Sequence, residues 1–240
     1  MDPTEYVLLF SSFSVLLQAF CYISFGAVGD YSTNRKVYFV VTGTLGAVFT
    51  ICTVAVTPDL WWLGGVLMIL MQLGYGTSTL LYNAWLPLLV RAHEDVLNVA
   101  PEEKDATIRD VMDNISNRGF IWGYAGGFTS LLLTLPLMLF LPEPINYQAS
   151  ITFSGVWWLL FELISFWALK SRPGPRLPKG VNSLFIFSWQ RSYRTFAKLK
   201  KLPNLAKFLA LWFFYSDGML TVAVVASLAM NDLITWCYVP

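Results

Sequence analysis

Six apolar runs divide the chain, at residues 6–26, 37–57, 61–81, 120–141, 150–169 and 207–228. Each is about 20 residues long, which as a helix covers the roughly 30 Å of hydrocarbon in a bilayer. The third run stays apolar as far as Val90. Short polar segments separate the runs. The pattern predicts an all-α membrane protein with six transmembrane helices.

The polar segments alternate in charge. All sixteen Lys and Arg residues lie in every second segment. Arg35 and Lys36 follow the first run, and Arg91, Lys104, Arg109 and Arg118 follow the third. The rest fall between Lys170 and Lys207, after the fifth. Residues 58–60, residues 142–149 and the two ends carry none. Cations beside membrane spans stay on the cytosolic side, so the basic loops are expected in the cytosol and both ends on the far side. The start, Met1 to Glu5, is acidic and lacks the basic region of a signal peptide, so the first run is read as a membrane helix.

Composition agrees with this reading. The chain is 56% hydrophobic and 13% charged, against about 25% charged in soluble proteins. A net charge of +1 gives no field that would draw nucleic acid. Cys21, Cys52 and Cys237 lie in or near spans, without a Cys-x-x-Cys pair or a neighbouring His, so they read as small buried apolar residues. No metal site and no cofactor are expected. The chain has no His-Glu-x-x-His, no Gly-x-Ser-x-Gly elbow and no group of His, Cys or carboxylates at one membrane depth, so it does not read as an enzyme.

Between spans, helices associate through close packing and polar contacts, because lipid supplies no water-exclusion drive. The fourth run carries Gly119, Gly123 and Gly127 four residues apart, which places them on one helix face. That stripe reads either as plain helix packing or as the seam where two halves of a transporter rock. Pro136 frees a carbonyl and is expected to kink the outer half of this span. The segment from Gly26 to Lys36 is read as a loop. Small residues end the helix, Asp30 sits at the cytosolic boundary, and Arg35 and Lys36 follow. Asp30 either caps a helix or pairs with a cation to steady a cytosolic gate.

This loop resembles the signature between the second and third helices of the major facilitator superfamily, Gly-x-x-x-Asp-(Arg/Lys)-x-Gly-Arg-Arg. Gly26 and Asp30 match, and Arg35-Lys36 match the basic pair with a one-residue shift. Tyr31 replaces the first cation, and the second Gly is absent. Three further stretches add to the match: Tyr82-Asn83-Ala84-Trp85-Leu86-Pro87, Ile115-Ser116-Asn117-Arg118-Gly119 running into Gly123-Tyr124-Ala125-Gly126-Gly127, and Phe213-Phe214-Tyr215-Ser216-Asp217-Gly218-Met219-Leu220-Thr221. In this order and spacing they resemble the autophagy-related protein 22-like family, amino-acid effluxers of vacuolar or lysosomal type and their bacterial relatives. The resemblance implies that the chain corresponds to helices two to seven of a twelve-helix fold, incomplete at both ends. Residues 1–169 would be five helices of the N-terminal half-bundle. Residues 170–206 would be a cytosolic linker, and residues 207–240 the first helix of the C-terminal half.

Two ionisable residues fall inside spans, where a charge costs about 2.5 kcal/mol or more. Asp217 lies near mid-membrane beside Tyr215, Ser216, Gly218 and Thr221. It is expected to bind a substrate ammonium or a coupled proton, with a buried carboxyl hydrogen-bonded to a neighbouring helix as the plainer alternative. Glu162 sits nearer the cytosolic end of its span and either takes part in binding or pairs with a loop cation. Tyr82, Asn83 and Tyr124 are further candidates for a binding cavity, and Tyr82 and Asn83 read equally as anchors at the interface.

The cytosolic segments differ in kind. Residues 91–117 are rich in carboxylates and read as a solvated loop with a short helix from Pro101; its only histidine, His93, reads as solvated. The segment after the fifth run opens with Ser171-Arg172-Pro173-Gly174-Pro175, which breaks a helix. From Ser183 to Lys201 it becomes amphipathic. Phe185, Ile186, Trp189, Tyr193, Phe196 and Leu199 lie on one side, and Gln190, Arg191, Arg194, Lys198 and Lys201 on the other. Such a face lies in the headgroup plane or takes a calmodulin-like partner, and the former is preferred.

The function expected from the resemblance is export of neutral amino acids from the vacuole or lysosome by alternating access. Its partners would be the solute and the lipid bilayer. The alternative is a non-transporting truncated homologue, acting as a membrane scaffold or as a subunit beside a full-length copy or the missing helices.

Overall fold

The computed structural model describes residues 3–171, 174 and 183–238, and among them there are helices and no strands. Among the described residues nine α-helices follow one another: α1 (Pro3–Tyr31), α2 (Arg35–Cys52), α3 (Trp61–Asn83), α4 (Leu86–Arg91), α5 (Glu94–Asn98), α6 (Lys104–Phe140), α7 (Ile145–Ala168), α8 (Leu184–Leu199) and α9 (Pro203–Tyr238). Each of the six expected runs is α-helical over most of its length, and the second and third are joined through the 3₁₀ turns Thr53–Ala55 and Pro58–Leu60. Among the described residues, five helices are long and apolar enough to cross a membrane, namely α1, α2, α3, α6 and α7. By its contacts the chain divides into two units, Tyr6–Ser188 and Met1–Glu5 with Trp189–Pro240.

The first unit is packed in the manner of a membrane bundle. Its outward residues are apolar and exposed, among them Leu16, Trp122 and Phe140, while Ser14, Ser24, Thr50, Thr77 and Ser78 are buried. Small and hydroxyl residues inside, with large apolar ones outside, suit helices whose solvent is hydrocarbon. Polar contacts tie the helices where no water competes. Tyr6 donates its hydroxyl hydrogen to the Trp61 carbonyl at 2.8 Å, and Gln18 Nε2 donates to the Gln72 carbonyl at 2.8 Å, joining α1 to α3. Gln148 Nε2 on α7 donates to the Val56 carbonyl at 2.7 Å.

Glycines set how closely the helices approach. A Cβ on Gly74 of α3 would lie 2.6 Å from the Gly46 Cα and 2.9 Å from the Thr42 carbonyl oxygen of α2, so two backbones touch there. On the other side of α2, a Cβ on Gly155 of α7 would meet the Ile51 backbone nitrogen at 2.9 Å. Gly46 also takes the Trp158 ring, and Gly43 takes the Glu162 carboxyl. The close seams therefore run along both sides of α2. At the stripe singled out from sequence, a Cβ on Gly119 would meet only the Tyr82 hydroxyl, at 3.5 Å, and Gly123 and Gly127 face no described neighbour within 4 Å.

Glu162 is buried in the α2–α7 seam. It lies one turn after Trp158, and its Oε1 has no hydrogen-bond partner among the described residues. Because the carboxyl is the end of a flexible side chain, Gly43→Ala should cost only about 1 kcal/mol. Glu162→Ala should relieve that cost, leaving a coupling of about 1 kcal/mol in a double-mutant cycle followed by denaturant unfolding in detergent. Additive effects would show that Gly43 and Glu162 do not press on each other.

Two expectations change. Gly26 to Asp30 are not a loop: α1 continues to Tyr31, and only residues 32–34 turn. Ala27 and Val28 are buried there, and Val28 packs with Phe39 and Leu81, which holds the last turns helical. Residues 104–117 form no separate short helix either. They are the first turns of the 37-residue α6, since no Gly or Pro interrupts them. Their apolar side is covered, with Val111 packed against Val90 and Val96, so this segment is a small folded cap rather than a solvated loop. Helix α6 also continues through Pro136 to Phe140. His93 caps α5, its Nδ1 accepting from the Asp95 N–H at 3.4 Å. Of the helix-breaking stretch after Ser171, Arg172, Pro173 and Pro175 lie outside the described residues, as does the side chain of Cys237.

Candidate functional site

A cleft of about 660 Å³ opens in the first unit between the end of α3, α4 and α6. Three sequence candidates meet in its wall: Tyr82 and Asn83 from α3 and Tyr124 from α6. The geometry follows from the local sequence. Helix α3 ends at Asn83, and Pro87 sits at the start of α4, where it needs no N–H partner. The two-residue break turns Trp85 inward to 2% exposure. Gly119 and Gly123 supply the floor on α6, with no side chain to fill the space. Two residues of the stripe, Gly119 and Gly123, thus line the cleft.

The lining has a definite chemistry. It contains no Asp, Glu, Lys or Arg, and it combines aromatic faces (Tyr75, Trp85, Phe120) with the Asn83 amide and the Ser116 hydroxyl. Trp85 Nε1 is buried without a hydrogen-bond partner among the described residues. A buried N–H left unpaired is costly, and such groups in native structures call for a partner that the fold itself does not supply. Trp85, Tyr75 and Ser116 were not singled out individually from sequence. Trp85 and Ser116 stand inside the stretches quoted there, which was the available signal; Tyr75 carried none.

The gate candidates occupy the adjoining helix ends. Arg35 is 3% exposed, although it opens α2, an end where the helix dipole disfavours a cation. Two neighbours offset this. Its Nη1 donates to the Gly29 carbonyl at 3.4 Å, near the negative end of α1, and its guanidinium lies 5.4 Å from the centre of the Trp85 ring. The Lys36 ammonium lies 4.5 Å from the Phe166 ring near the end of α7. The basic pair therefore joins α2 to α1, to the α3–α4 break and to α7. Asp30 is exposed in the last turn of α1. Gly26 has open space beside it, and the next residue, Ala27, donates its N–H to Ser188 Oγ at 2.8 Å.

Glu162 is not in the cleft wall; it lies in the α2–α7 seam. Asp217, Tyr215 and Ser216 belong to α9 in the second unit, where Tyr215 and Asp217 are exposed and Ser216 is half-buried. Among the described residues no group of three or more His, Cys, Asp or Glu is placed to hold a metal ion.

Comparison with known proteins adds the family. Over residues 1–237 the chain matches the model described as "Vacuole effluxer Atg22 like". It is 27% identical to autophagy-related protein 22-1 of Penicillium rubens, over 95% of this chain and 48% of that protein. Against autophagy-related protein 22 of Pyricularia oryzae the identity is 24%, over 95% of this chain and 41% of that protein. The chain spans about half the length of the curated relatives it matches. No solved structure matches it. With five described helices able to span a bilayer and a family match across nearly its whole length, the chain is a multi-pass vacuolar membrane protein and belongs to the vacuole effluxer Atg22-like family.

Proposed function

We propose that the chain forms half of the path by which an effluxer moves neutral amino acids out of the vacuole during autophagy. The observation that carries this reading is the uncharged cleft of about 660 Å³ lined by aromatic rings, the Asn83 amide and the Ser116 hydroxyl. A zwitterion with an apolar side chain suits it. The Asn83 amide and the Ser116 hydroxyl would donate to the solute carboxylate, and the faces of Tyr75, Tyr82 and Tyr124 would attract the ammonium and cover the side chain. The absence of a charged group in the lining favours net-neutral solutes, since a buried unpaired charge is expensive.

Transport would proceed by alternating access, with the site facing one side at a time. Arg35 and Lys36, by tying the cytosolic ends of α1, α2 and α7, would steady the closed form. Asp217 on α9 would bind the ammonium or a coupled proton. The contact between half-bundles that such a cycle requires would be made along the Gly119–Gly123–Gly127 face. The test is efflux of labelled leucine and tyrosine from vesicles, comparing this chain with a version extended at both ends to twelve spans. Efflux by the extended version supports the reading. Its silence across a broad amino-acid panel, with the protein inserted, would sink it and favour the scaffold or subunit. Transport by the 240-residue chain alone would show that no further helices are needed.

A further inference from the structure

Helix α8 and the turn after it present two opposed faces. Trp189, Tyr193 and Phe196 recur at spacings of four and three, and so form one stripe. All three are exposed, at 42%, 75% and 67%. Arg191, Arg194 and Lys198 lie on the opposite side of the same turns, and Lys200 and Lys201 follow in the turn that ends α8. The surrounding sequence carries cations and no carboxylate side chain over a long stretch. Between Glu162 and Asp217 there is no acidic residue, while every cation from Lys170 to Lys207 falls within it.

Tethering narrows what this surface meets. Only residues 200–202 separate α8 from α9, and α9 becomes apolar by Phe208. Three residues reach about 10 Å at most, so the end of α8 stays close to the start of α9, whose apolar run at residues 207–228 reads from sequence as a membrane span. A basic helix held there, with aromatic side chains exposed along one face, has the shape and charge of an interfacial helix. Anionic headgroups complement the cations, and the headgroup–acyl boundary takes amphipathic aromatic rings such as Trp and Tyr. An acidic soluble partner would match the charge, but the tether keeps the aromatic stripe close to that span.

From these observations we infer that residues 189–201 bind the anionic lipid surface of the cytosolic leaflet, with Trp189, Tyr193 and Phe196 inserted and the cations on lipid phosphates. This binding does not depend on transport, and its test reads no efflux. The full chain, with Cys21, Cys52 and Cys237 replaced and Ala197→Cys carrying an environment-sensitive fluorophore, is placed in vesicles containing spin-labelled lipid. One set is pure phosphatidylcholine and the other has a third of it replaced by phosphatidylserine. Quenching should be roughly twofold or more stronger in the anionic vesicles and should fall with added salt. The triple variant Arg191→Gln, Arg194→Gln, Lys198→Gln, shown to elute and melt like its parent, should lose the difference between the two lipids. Equal quenching in both vesicles, or none in either, overturns the inference. Protection of the label by an added calcium-loaded acidic protein, without lipid quenching, would assign the segment to that kind of partner instead.

Discussion

Gly74→Leu should leave little folded protein. At this position a Cβ would lie 2.6 Å from the Gly46 Cα and 2.7 Å from its backbone nitrogen, so the obstacle is main chain and has no rotamer in which to yield. Helices α2 and α3 would have to separate, losing the packing that substitutes for water exclusion in a membrane. An added methyl group in a tight core costs about 1–3 kcal/mol, and a leucine side chain should exceed the upper end of that range. The matched control is Gly123→Leu, which meets open space on the cleft face of α6. Melting of the two variants in detergent, followed by size-exclusion chromatography, should show Gly74→Leu aggregated or melting far below the parent and Gly123→Leu close to it. If both melt with the parent, the α2–α3 seam is not a backbone contact.

Asp217→Asn should lower efflux by the extended version at least about tenfold, with the amount of protein in the membrane unchanged. The argument is one of cost. A charged side chain at the centre of a span is unfavourable by about 2.5 kcal/mol or more on insertion scales. Asp217 stands in an apolar run of α9 beside Tyr215 and Ser216, and Gly218 leaves open space next to it. Helix formation asks for none of these groups, so their joint presence points to a solute or proton. Asparagine keeps the size and polarity but holds neither a negative charge nor a transferable proton. The check is the initial rate of labelled leucine efflux, normalised to protein in the vesicle. Unchanged efflux would remove Asp217 from the path and leave the carboxyl as a packing residue.

The helices were legible in the sequence and the seams were not, and the reason is physical. Hydrocarbon thickness fixes the length of a span, and every backbone group inside it must be paired within the helix, so a long apolar run has one outcome. Helix ends follow weaker rules. Gly26 and Asp30 looked like a boundary, yet burial of Ala27 and Val28 carried α1 to Tyr31. Polar residues 104–117 looked solvated, yet four apolar residues among them found Val90 and Val96 and became the start of α6. Glycine spacing was the least informative signal. Gly119, Gly123 and Gly127 form the more regular stripe, but the closer described contacts are at Gly43, Gly46, Gly65, Gly74, Gly76, Gly155 and Gly174, which share no common spacing.

Of the candidate site, the sequence identified Tyr82, Asn83 and Tyr124 one by one. It could not show that they face a common cleft, since Tyr124 is about forty residues away and reaches it through the docking of α6 on α4. It also marked Arg35 and Lys36 as cations at a boundary without naming the Trp85 and Phe166 rings that receive them. What this sequence determined by itself is its solvent, its helices and its family, because length, hydropathy and local motifs are properties of consecutive residues. Tertiary structure alone decided which glycines carry backbone contacts, where Glu162 is buried and that Trp85, in the wall of a cleft, keeps a buried unpaired donor. Those depend on pairs of residues far apart in the chain, brought together only when helices of fixed length pack at the distance their smallest side chains allow.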